Sequence, residues 1–244
     1  MLSLLQKEIN SFLSSLIGYI VILVFLLTIS LFLWVFPATD FNIFDSGYAN
    51  IDSLFIITPW VYMFLIPAIT MRLFAEEKKS GTIELLLTRP LTELQVILAK
   101  YFAGVLLVLF SLLPTLVYYV CIHNLAMPVG NVDSGAVWGS YLGLLFLAAG
   151  FTAIGVFASS LTDNQVIAFV IALFFCFICY AGFDSISKFI SGGLLGSIVY
   201  NLGINAHYTS MSRGVIDTRD VIYFISLIAL FIMCTRIVIE SRKW

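Results

Sequence analysis

Apolar residues run through this chain in uninterrupted blocks, with polar residues gathered between them. The first block, Leu16 to Phe36, holds 21 residues without a charge. At about 1.5 Å per helical residue it is long enough to cross a hydrocarbon core of about 30 Å. Similar blocks run from Leu54 to Phe74, Val96 to Ile122, Val137 to Leu161, Gln165 to Phe183 and Val221 to Ile239. The pattern predicts six membrane-spanning helices. Pro59 and Pro67 fall inside the second and Pro114 inside the third. A proline in a spanning helix is tolerated where a neighbour satisfies the carbonyl it frees, so Pro67 and Pro114 are expected to kink helices packed in a bundle.

The first fifteen residues have a different rhythm. Leu2, Leu5, Ile9, Phe12, Leu13 and Leu16 recur at three- and four-residue steps, while Gln6, Lys7, Asn10 and Ser14 take the opposite face. That pattern predicts an amphipathic helix at the membrane interface, turning near Gly18 into the first span, rather than a simple extension of the span. A cleavable signal peptide is disfavoured. The apolar run is longer than the usual 7–15 residues and no A-x-A-like site follows Pro37.

Composition agrees. Of 244 residues 61% are apolar and 11% charged, and mean hydropathy is +1.07. Soluble domains carry about 25% charged residues, so a soluble enzyme and a disordered chain are both excluded. A single membrane domain spanning 1–244 is expected. The net charge of −2 gives no reason to propose a nucleic-acid partner. Cys121, Cys176, Cys179 and Cys234 lie in or beside apolar blocks and read as packing residues.

Basic residues set the expected orientation. With the N-terminus in the cytoplasm, nine of twelve (Lys7, Arg72, Lys78, Lys79, Arg89, Lys100, Arg236, Arg242 and Lys243) fall on the inner side. Lys188, Arg213 and Arg219 fall outside. Both termini are therefore expected to be cytoplasmic.

Nine of the 26 charged residues lie between Arg72 and Lys100, in a loop with strong punctuation. Glu76, Glu77, Lys78 and Lys79 read as an inner extension of the second span, ended by Gly81 at the position that favours a left-handed residue. Thr82 can cap a short helix whose Ile83, Leu86 and Leu87 share one face. Arg89-Pro90 stops that helix, and Thr92-x-x-Gln95 reads as a capping box opening the third span. An apolar face rimmed by charge is a docking surface; the alternative is a hairpin lying on lipid headgroups.

The stretch Glu76 to Leu91, of the form E-E-K-K-x-G-T-x-E-L-L-L-T-x-P-L, resembles the cytoplasmic loop of ABC-2-type transporter permeases. The likeness extends over essentially the whole chain, including His207 to Ile225 at the entry to the sixth span. The segments Leu33–Phe36, Asp45–Phe55 and Leu161–Phe169 resemble the gliding-motility-associated ABC permease subunit of Bacteroidetes.

The resemblance implies an all-α fold of six transmembrane helices, of the type V exporter kind, in a bacterial inner membrane. It also implies a mechanism. A separate ABC ATPase, two copies per complex, carries ATP and Mg. This chain inserts residues 82–88 as a coupling helix, with Glu76, Glu77, Glu84 and Arg89 at its rim, and Arg72 and Lys100 pass the displacement into spans two and three. A second permease subunit, different or identical, is expected to complete the path. The sequence has no G-x-x-x-x-G-K-[ST] phosphate loop, so ATP hydrolysis of that kind falls to another chain.

The segment from Asp184 to Asp220 is too apolar for a solvated tail, yet Gly192, Gly193, Gly196 and Gly203 break it into runs too short to span. The resemblance implies re-entrant helices capping an outer gate; a helix on the outer surface is the alternative. His207 and Arg213 read as polar anchors at the interface.

Other classes fit less well. An intramembrane enzyme or an ion-coupled secondary transporter needs ionisable groups at mid-depth, and the span centres carry none. A structural anchor for an ATPase-driven machine would need the same coupling helix. The uncharged centres favour a large, lipidic or polymeric cargo over small ions.

Overall fold

The computed structural model describes residues 1–37, 39, 41–87, 92–190 and 193–241. Among them the regular structure is helical: α1 (Leu2–Leu13), α2 (Leu16–Ser30), α3 (Ile43–Ser46), α4 (Asp52–Thr70), α5 (Arg72–Lys79), α6 (Thr82–Leu87), α7 (Glu93–Leu112), α8 (Leu116–Leu125), α9 (Ser134–Leu161), α10 (Gln165–Phe177), α11 (Phe183–Phe189), α12 (Leu194–Leu202), α13 (Ile204–Met211) and α14 (Thr218–Glu240). A π-helical turn, Leu31–Val35, lengthens α2, and another, Ile178–Gly182, joins α10 to α11. A 3₁₀ turn at Leu113–Thr115, holding Pro114, joins α7 to α8.

Six stretches are long and apolar enough to cross a membrane: Leu16–Val35, Asp52–Lys79, Glu93–Leu125, Ser134–Leu161, Gln165–Phe189 and Thr218–Glu240. The chain is a multi-pass membrane protein. At the end of the bundle that holds α1, the base of α5, the start of α7 and the end of α9 lie side by side. The far end holds α3, α11, α12 and α13.

Helix α9 is the central post, packed against α4, α7, α10, α13 and α14. Lipid-like surroundings give little hydrophobic drive between helices, so close approach must come from small residues. Gly155 of α9 meets Thr70 of α4 so tightly that a Cβ there would lie 2.8 Å from the Thr70 Cβ. A Cβ at Gly104 of α7 would lie 2.7 Å from the Thr152 methyl of α9.

Polar groups inside the bundle are mostly satisfied locally. Thr58, Thr70 and Thr235 donate to the carbonyls of Leu54, Ile66 and Phe231, one turn back, at 2.6, 2.9 and 2.7 Å. Pro59 cannot donate to the carbonyl of Phe55. The Tyr208 hydroxyl, from α13, donates to that carbonyl at 2.7 Å. The second span is thereby joined, at Pro59, to a helix about 150 residues away in sequence.

Candidate coupling site

The charged loop is built on a helix break. α4 ends at Thr70 and α5 begins at Arg72, with Met71 between them. The Ser159 hydroxyl of α9 bridges the break. It accepts from the backbone N–H groups of Phe74 and Ala75 at 3.0 and 3.1 Å and donates to the Met71 carbonyl at 3.0 Å. Helix α5 is thus clamped to the end of α9, and Lys78 reinforces the clamp by donating to the Ser160 carbonyl. A cation at the carbonyl end of a helix also complements its dipole.

Beyond α5, Gly81 has φ of +71°, the left-handed conformation expected of it, and reverses the chain into α6. Thr82 behaves differently from expectation. It is the first residue of α6, and its hydroxyl turns back, 2.8 Å from the Ser80 hydroxyl and 3.4 Å from the Glu77 carbonyl. It therefore fastens α6 to α5. Glu76 and Glu84 are exposed, whereas Ile83 is half-buried against the cluster formed by Leu73, Phe74, Val96 and Ile97. Ile83 roots α6 to the bundle instead of lying on a free face. Arg89 and Pro90 lie outside the described residues, as do the side chains of Leu86 and Leu87. At the start of α7 the capping box is present: the Gln95 N–H donates to Thr92 Oγ1 at 3.4 Å and the Thr92 N–H to Gln95 Oε1 at 3.1 Å.

Glu77 departs from its expected place at the rim. It is 8% exposed and points away from the surface into an ion network. Lys100 of α7, fully buried, sits with its ammonium 2.9 Å from Glu77 Oε2 and 3.0 Å from Glu8 Oε1 of α1. The same ammonium donates to the Leu73 carbonyl at 2.5 Å and lies 5.2 Å from the centre of the Phe74 ring. Lys7 of α1 closes the network, 3.0 Å from Glu77 Oε1 and 3.6 Å from Glu8 Oε1. Burial works against the Lys7 charge, but the hydrogen bond and charge of Glu77, with Glu8 beside it, hold its pKa above the ordinary 10.5.

Two cations and two carboxylates leave the cluster neutral, as burial near a membrane requires. Its members come from α1, α5 and α7. Arg72 adds a further tie, donating to the Ser15 hydroxyl between α1 and α2 at 3.0 Å and lying 5.6 Å from the centre of the Phe12 ring. Mechanically, α6 hangs from a joint that no one of three helices can leave alone.

Glu8 was missed by the periodicity, which assigned it to neither face of α1. Leu4 and Phe12 are the buried residues of that helix, and Glu8 stands one turn from each of them. The adjacent lysine was the available signal.

At the far end the structure gathers other residues. Gly193 stands just before α12 with φ of +138°, and Gly196 is buried where a Cβ would lie 3.1 Å from the Ile190 carbonyl oxygen. Gly192 lies outside the described residues. His207 is more than a surface anchor: its Nδ1 lies 2.8 Å from Asp220 Oδ1 and its Nε2 2.9 Å from the Asn201 carbonyl. Its ring stacks on Tyr223 with centroids 3.9 Å apart. Ser210 donates to the other oxygen of Asp220. The cluster pins α13 to the first turn of α14. Arg213 is exposed, and its guanidinium has no hydrogen-bond or ion-pair partner among the described residues.

Fold and site together define a helical, multi-pass membrane protein with an embedded joint below two of its spans. The family model for ABC-2 family transporter proteins matches residues 2–211, and the chain belongs to that family. It is thus a membrane permease subunit of an ABC transporter. Among curated proteins, none is similar enough to the chain to be set beside it.

Proposed function

We propose that the chain couples ATP hydrolysis on a separate ATPase subunit to movement of its own spans, with α6 as the element the ATPase grips. The observation that carries this reading is the joint behind α6. A displacement of α6 reaches α5 through Gly81 and the Thr82 hydroxyl, and the start of α7 through Ile83, packed beside Val96 and Ile97. It then reaches α1 through the Lys7–Glu8–Glu77–Lys100 network. Exposed Glu76 and Glu84 supply charge at the contact, while Ile83 and Glu77 belong to its foundation. Membership of the ABC-2 family supports an ATPase partner, and two copies would serve a paired permease.

The excess of basic residues at the terminal end supports cytoplasmic termini in a bacterial inner membrane. The far-end helices α12 and α13 then face outward. The seating of α13 in the bundle, through buried Ile204, Tyr208 and Met211, supports a re-entrant outer gate. The likeness to gliding-motility subunits supports pairing with a different permease chain and a role in export or in powering such a machine. Copurification tests the reading. Glu84→Lys and Leu86→Asp should abolish recovery of the ATPase while the chain still inserts in the membrane. Recovery at wild-type yield overturns the assignment of α6.

A further inference from the structure

Between the start of α4, the π turn with the start of α11, and α13 lies a cavity of about 490 Å³. That is within the range of small-molecule sites, about 300–1,000 Å³. One wall is aromatic. The ring of Tyr180, placed by the π turn, lies 5.8 Å from that of Trp60 and 6.4 Å from that of Tyr208. A π turn inserts one residue per turn and so re-aims the side chains it carries. The lining also carries charge, from Asp52, Asp184 and Arg213.

The three charges are not equally engaged. Asp184 is paired with Lys188 at 2.8 Å. Asp52 accepts from the Asn50 amide at 3.3 Å and has no cation partner among the described residues. Arg213 has no side-chain partner there either. One carboxylate without a cation partner and one guanidinium without an anion partner, among the described residues, thus line a single cavity without pairing with each other. A ligand that suits this has both signs: an anionic group for Arg213 and an ammonium for Asp52, with the Trp60 and Tyr180 rings favouring the ammonium. A purely anionic ligand would meet the Asp52 charge, and a purely cationic one would leave Arg213 without a counter-ion.

The cavity also has an apolar exit. Trp60 and Ile56, on successive turns of α4, are 49% and 53% exposed on the surface that faces lipid in a spanning helix. Trp and Tyr favour the level where hydrocarbon meets headgroup. The placement lies at the far end from α1 and holds whichever membrane side that end faces, so it does not rest on the ATPase reading.

We infer that this cavity binds a phosphate-and-ammonium zwitterion of the phosphoethanolamine class. The Arg213 guanidinium would take the phosphate and the Asp52 carboxylate the ammonium, with any acyl chains leaving past Ile56 and Trp60. The Ser210–Asp220–His207 cluster acts as a positioning device, because it fixes α13, which Arg213 follows by two residues.

The full chain, purified into nanodiscs of equal phosphatidylethanolamine and phosphatidylglycerol, provides the test, with retained lipid counted by native mass spectrometry. The ethanolamine lipid should be retained in preference. Arg213→Glu and Asp52→Asn should each lower that retention about fivefold, the scale of one half-exposed charge pair. Arg213→Gln serves if the glutamate variant fails to fold, and Arg219→Glu, outside the cavity, should change nothing. Displacement by soluble glycerophosphoethanolamine would support the inference with a free zwitterion as occupant; resistance to displacement would support it with the lipid as occupant. Equal retention of both lipids, preference for phosphatidylglycerol, or tighter binding by the glutamate variant would overturn it.

Discussion

A proline, a carbonyl and a tyrosine show how single residues hold this bundle together. Pro59 leaves the Phe55 carbonyl without its helical donor, and the Tyr208 hydroxyl supplies one at 2.7 Å. Tyr208→Phe keeps the ring and removes only the donor. It should cost about 1–3 kcal/mol, the price of an unsatisfied buried acceptor, and appear as a lower unfolding midpoint in detergent. The ion network makes a sharper prediction. Lys100→Met leaves Glu8 and Glu77 facing each other without a buried cation and should cost about 3–5 kcal/mol. Adding Glu77→Gln should recover part of that loss, whereas independent sites would show additive losses. Because the Lys7 pKa is raised in the folded protein, its share of the stability is fully present below pH 10.5 and fades as pH rises through the raised value. The docking of α1, followed by a fluorophore at Ser3, should therefore be flat from neutral pH to about 10 and weaken only above that range.

At the scale of elements, the punctuation around α6 was legible because it is local. Gly81 at positive φ and the Thr92–Gln95 box each rest on a few neighbouring residues. The inward turn of Glu77 was not legible. Glu-Glu-Lys-Lys reads as a solvated helix end, and the partners that draw Glu77 inward lie about 70 residues back and about 23 ahead. The same reason hid Ser159 and the pairing of His207 with Asp220, whose contacts are made only once α9 and α14 are in place. Gly81→Val should strain the α5–α6 reversal, since a β-branched residue is poorly accommodated at φ of +71°. Its expected signature is reduced ATPase copurification with normal membrane insertion. Loss of insertion would instead show that Gly81 serves folding of the spans.

For the whole molecule, hydropathy was enough to find six membrane-crossing stretches, because each needs only length and an apolar run. It could not show that α9 is the post on which the others stand, since that depends on which small residues meet. Gly155→Leu places a side chain where Thr70 already sits and should separate α4 from α9 at the coupling end. The expected result is a chain that inserts but unfolds at lower temperature and loses ATPase association. The joint behind α6 makes the two defects one event, because α5 is held to α9 through Ser159 and to α7 through Glu77 and Lys100.

A photo-crosslinking residue at Glu84 in the full chain, in the native membrane, tests whether α6 is where a separate ATPase takes hold, with the adduct identified by mass spectrometry and by labelling with an ATP analogue. The account predicts a crosslink to a nucleotide-binding ATPase subunit from the cytoplasmic side, lost when Leu86→Asp is added. A correctly inserted chain whose position 84 reacts only from the opposite side, or that yields no ATP-binding adduct, would contradict it.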